Sequence, residues 1–168
     1  MVIRGILGSL FGKKRKDENG ADANDAQGIE LSEFDLSPGY CDMTGESHQN
    51  YLRCKDGKWT IRSINREPGS RVDIVTTYAV DTAAVAEFET FIKENDICEL
   101  ADRKESGMFI TDYSPWSCTI VFGQVGSRKT YRFGEYLDYT EKDRELIKEL
   151  RDRFNALKGK KISEKTEK

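Results

Sequence analysis

The 168-residue chain carries one histidine, His48, in the polar stretch TGESHQN, and four cysteines at positions 41, 54, 98 and 118. A nucleophilic pair needs a thiol beside an imidazole, and Cys41 lies close to His48 in sequence, with Asp42 and Glu46 available to orient the ring. These residues have the types a small Cys/His enzyme would use. They form no motif, and a lone histidine in a polar loop is by default a solvated side chain.

Other chemistry is thinner. One histidine and four scattered thiols match no zinc-ligand spacing and include no C-x-x-C pair, so neither a metal nor a cofactor is expected. There is no glycine-rich phosphate loop, and the serine beside Pro115 lacks the flanking glycines of a nucleophile elbow. The acidic pairs Asp138 with Glu141 and Glu87 with Glu89 fall in or near helices whose outer faces are charged anyway. Arg62, Arg128, Lys129 and Arg132 gather on neighbouring strands or their hairpin, with Tyr131 between them, as on a sheet platform for single-stranded nucleic acid. Tyr131 falls on the core side of the alternation, however, and the net charge is -3, so nucleic acid is disfavoured as a partner.

The elements that must position these residues follow from periodicity. In YLRCKDGKWTIRSI, Asp56-Gly57 between two apolar-bearing runs predicts a tight hairpin with strands near 49–55 and 58–64. RVDIVTTYAV alternates as a half-buried strand, and Asp81 caps a helix carrying Ala84, Val85, Phe88, Phe91 and Ile92, with Asn95 as its stop. SGMFITDY, WSCTIVF and KTYRF read as three further strands. Thr140, with Asp143 three residues on, opens a second helix whose stripe is Leu146, Ile147, Leu150, Phe154 and Leu157. The expected fold is α+β: an antiparallel sheet of about six strands with two amphipathic helices on one face, in the order βββα-βββα.

A sheet covered on one side leaves the other side informative. The alternation puts Thr60, Arg62, Val75, Thr77, Ala79, Ser117, Thr119, Val121, Thr130 and Arg132 opposite the helices, a small, Thr-rich, half-apolar surface. Such a face suits a protein partner or a second copy of the chain, with Val75, Thr77, Thr119 and Val121 near its middle and Arg62 and Arg132 beside them.

Charge divides the remainder. Residues 1–16 hold five bases and no acids, and residues 17–39 hold seven acids and no bases, which predicts an apolar, basic head and an acidic flexible linker. A single domain over 40–158 and a charged, disordered tail over 159–168 complete the expected organisation. In the head, Ile3, Ile6, Leu7, Leu10 and Phe11 precede Lys13, Lys14, Arg15 and Lys16, a composition that suits contact with an anionic membrane surface. The head is too short to span a bilayer and lacks a secretory cleavage pattern, so the expected location is cytoplasmic, peripheral at the inner membrane surface. The function expected from sequence is a non-catalytic binding or interaction module. The competing expectations are a small enzyme using Cys41 and His48, and a sheet domain for single-stranded nucleic acid.

Overall fold

The computed structural model describes residues 28–40, 42–107 and 113–167. Seven strands form one antiparallel sheet: β1 (Leu31–Ser37), β2 (Ser47–Lys55), β3 (Lys58–Arg66), β4 (Asp73–Val80), β5 (Ser117–Phe122), β6 (Lys129–Gly134) and β7 (Lys161–Glu167). Helix α1 (Thr82–Glu94) follows β4, and helix α2 (Glu141–Ala156) separates β6 from β7. Across the sheet the strands run β6-β5-β1-β2-β3-β4-β7. The α+β architecture is as expected, and the chain order is ββββαββαβ.

The local chemistry explains most elements directly. Asp56 and Gly57 both take positive φ, 51° and 71°, the backbone a two-residue hairpin turn requires, and β2 pairs β3 in register from Ser47↔Arg66 to Lys55↔Lys58. The Asp81 carboxylate accepts a 2.7 Å bond from the Ala83 amide and starts α1. A capping box starts α2: the Thr140 hydroxyl accepts from the Asp143 amide, and the Asp143 carboxylate accepts from the Thr140 amide.

Two strands lie where sequence reading placed a linker and a tail. The expected core boundary at residue 40 is corrected by β1, which occupies the middle of the sheet between β5 and β2. Phe34 of β1 is fully buried and sits at the centre of the core, 5.0 Å from the Phe88 ring of α1 and 4.6 Å from the Phe154 ring of α2. The strand escapes detection because its register against β5 shifts between Leu31 and Glu33, so its buried residues Leu31, Phe34 and Leu36 do not alternate strictly. A buried carboxylate fixes its start: Glu89 Oε2 accepts from the Glu30 and Leu31 amides at 2.9 and 2.8 Å, and Oε1 meets Lys93 Nζ at 2.7 Å. Glu89 thus has a structural task, while Glu87 beside it is exposed.

The expected tail is likewise corrected, since β7 pairs β4 along its length. Its one large apolar side chain, Ile162, is exposed, so backbone pairing rather than burial holds it, and burial periodicity cannot reveal such a strand. Most of the strand expected in SGMFITDY, residues 108–112, lies outside the described residues, and Ser114 makes only an isolated bridge with Tyr40.

Candidate functional site

The structure puts His48 on β2 rather than in a loop. Its Nε2 lies 2.6 Å from Glu46 Oε1 and its Nδ1 lies 3.0 Å from Asn65 Oδ1. The Asn65 bond and then Glu46 raise its pKa above the ordinary value against the opposing effect of burial. With both nitrogens facing acceptors, the ring is held as a donor, which suits an ion pair better than a general base. Cys41 lies outside the described residues, and Asp42 opens a 3-10 turn, Asp42–Thr44. Burial pushes the Cys98 thiol up to about 11 and the Cys118 thiol well above its ordinary value, so neither supplies a thiolate near neutral pH. Among the described residues no group of His, Cys, Asp and Glu could hold a metal ion.

The six residues expected on the helix-free face all lie there by register: Thr119 pairs with Arg132 and Asp35, and Arg62 pairs with Tyr51 and Thr77. They do not form one central patch. Because β1, β2 and β3 lie between β5 and β4, Thr119 and Val121 are separated from Val75 and Thr77 by four strand spacings, about 19 Å. The middle of the face is charged instead. Arg53 grips Asp35 with both terminal nitrogens and meets Glu33 at 3.2 Å, and Glu33 also meets Arg128 at 2.8 Å. Arg62 on β3 reaches Glu167 on β7 at 3.0 Å, crossing β4 from the level of Thr77 to that of Asp73. Val75 lies beneath that crossing and is 1% exposed, although no helix covers it. Arg66 forms a two-pronged pair with Asp73 at 2.9 and 3.1 Å. The face therefore neutralises most of its own arginines.

One arginine elsewhere is treated differently. Arg151 of α2 lies with its guanidinium carbon 4.4 Å from the centroid of the Trp116 ring, and its Nε and Nη2 atoms are buried without a hydrogen-bond partner. Those two nitrogens form the side-on fork with which Arg66 holds Asp73 and Arg103 holds Asp143. Contact with the indole recovers about 0.5–2 kcal/mol. Leaving buried donors unmade costs about 1–3 kcal/mol. An oxyanion that reached the fork, with the Arg151 side chain shifting to admit it, would remove that cost.

The surroundings form a cleft of about 710 Å³ between α2 and the segment joining β6 to α2. Trp116, just before β5, lines it; Tyr139 stacks on Trp116 with ring centroids 6.0 Å apart, and Phe133 meets the indole edge-on. The Tyr139 hydroxyl donates to the Gly134 carbonyl at 2.8 Å, and burial pushes its pKa up to about 12, so the phenol stays neutral. The helical wall is fixed at its start, where Arg103 donates Nε and Nη2 to Asp143 at 3.0 and 2.9 Å. That guanidinium holds the Asp143 carboxyl well below the usual carboxylate range.

Sequence reading assigned Ile147, Leu150 and Phe154 to the inner stripe of α2 and passed over Arg151. The signal was its position, four residues after Ile147 and three before Phe154, which puts a cation at the inner edge of an amphipathic helix. Asp138, considered as half of an acidic pair, lines the same cleft, whereas Glu141 lies exposed in the first turn of α2. The membrane-contact residues Ile3, Ile6, Leu7, Leu10, Phe11, Lys13, Lys14, Arg15 and Lys16 lie outside the described residues. Among the described residues no helix is long and apolar enough to cross a membrane. No protein-family model, curated protein or solved structure significantly matches this chain.

Proposed function

We propose that the protein is a binding module whose ligand presents a carboxylate or similar oxyanion to Arg151 in the cleft beside α2. The observation that carries this reading is the buried, unpaired Nε and Nη2 fork of Arg151 held against Trp116. A guanidinium stays protonated at any pH of interest, so it recognises anions and moves no protons. Tyr139, half-buried beside Trp116, supplies apolar contact next to the charge, which suits an apolar group attached to the anion.

Benzoate combines both features and is the probe of choice. Titrating it into the full chain should shift the Trp116 indole N–H and Arg151 Nε–H resonances saturably. Arg151→Met should abolish the response, and Arg151→Lys should weaken it by about tenfold, because an ammonium keeps the charge but loses the fork. An unchanged response in Arg151→Met, or no response in the parent, overturns the reading.

A further inference from the structure

Resting on the reading of this cleft, we infer that its natural occupant is an extended peptide of alternating acidic and basic residues, rather than a polyanion. The two walls carry opposite charge. On α2, Arg144, Lys148 and Arg151 follow one another at helical spacing along the cleft, with Asp152 beside them. The facing segment contributes Glu135 and Asp138. The Tyr113 hydroxyl lies near Glu135, while among the described residues Asp138, Arg144 and Lys148 have no ion-pair partner.

A nucleic acid strand or a run of glutamates would satisfy the helical wall but set its remaining charge against Glu135 and Asp138. A small carboxylate would use Arg151 and leave the other charges in water. An extended chain points successive side chains to opposite sides. With acids on odd positions and bases on even ones, it would meet the cationic wall with one set and the acidic wall with the other. The size agrees: the lining of α2 from Arg144 to Asn155 spans about 17 Å at the helical rise, the length of about five extended residues. The peptide backbone would lie between the walls, beside the half-buried Tyr139 ring.

The test compares four probes on the full chain in the same buffer: benzoate, octaglutamate, an eight-residue thymidine oligonucleotide and an end-blocked peptide of four Glu-Lys repeats. The repeat peptide should bind at least about tenfold more tightly than each of the others. Glu135→Gln with Asp138→Asn should erase its advantage over octaglutamate. If benzoate binds but octaglutamate or the oligonucleotide binds as tightly as the repeat peptide, this inference falls and the proposed function stands. If benzoate fails and the repeat peptide binds equally to parent and Arg151→Met, both fall.

Discussion

Arg53 and Arg151 belong to the same small protein and meet opposite treatment. On the helix-free face, Arg53 is clamped by Asp35 and Glu33, Arg128 shares Glu33 with it, and Arg62 and Arg66 each have their own carboxylate. In the α2 cleft, Arg151 is pressed against an indole with its fork unmade. A surface that satisfies its own charges presents little unspent interaction to a partner. A cation held partly desolvated and unpaired retains interaction free energy that only an added anion can release.

The contrast breaks first if the helical wall is not held as described. Asp143→Ala removes both the Arg103 pair and half of the capping box, and should destabilise the chain by about 1–2 kcal/mol in denaturant unfolding near neutral pH. The sign with pH follows from the lowered pKa of Asp143. Its contribution is present above the unfolded carboxylate range, about pH 4, and is lost as pH falls through the lower folded value. The parent and the variant should therefore converge in acid; a gap that widens below pH 4 contradicts the assignment.

The two arginines themselves should move stability in opposite directions. Arg53→Met leaves Glu33 and Asp35 as adjacent like charges on half-exposed side chains, and should cost about 1 kcal/mol. Arg151→Met should leave stability unchanged or raise it by up to about 1 kcal/mol while removing benzoate binding, because it replaces an unpaired buried cation with an apolar chain of similar length. Equal destabilisation by both substitutions would show that Arg151 is a structural residue like Arg53.

Smaller effects sharpen the picture of the paired groups. Because His48 is the only histidine, its titration can be read by NMR without ambiguity. Its midpoint should lie above about 6.5 and fall in both Asn65→Ala and Glu46→Gln. The stability that follows is fully present below the unfolded value near 6.5 and is lost as pH rises through the folded one. A midpoint at or below 6.5 in the parent contradicts the Asn65 and Glu46 contacts.

Least affected should be the flanks of the open face. Thr77→Lys and Thr119→Lys, alone or together, should each change stability by less than about 0.5 kcal/mol and leave benzoate binding intact. Sedimentation that shows the parent associating and the double variant not would instead give this face the partner-binding role expected from its alternation.

Much of the architecture was open to reading from the amino-acid order. The Asp56-Gly57 turn, the caps at Asp81 and Thr140 and the stripes of both helices are local chemistry, decided within a few residues, and they appear where periodicity puts them. The face assigned to Arg62, Thr77, Thr119 and Arg132 also follows from alternation alone. The strand order does not, because neighbours in a sheet are chosen by long-range pairing. Without that order, two patches read as one supposed surface, when β1, β2 and β3 separate them.

The amino-acid sequence by itself determined where turns, caps and amphipathic faces fall, since φ preferences, side-chain hydrogen bonds and burial periodicity act over one or two turns of chain. Only the tertiary structure decided which charges are neutralised. Arg53 finds its partners on another strand, Arg62 reaches across an intervening strand to Glu167, and Arg151 meets Trp116, 35 positions earlier in the chain, instead of a carboxylate. Net charge and local spacing are blind to this, because whether an arginine ends as a clasp or as an empty fork depends on what the fold brings within about 3 Å of it.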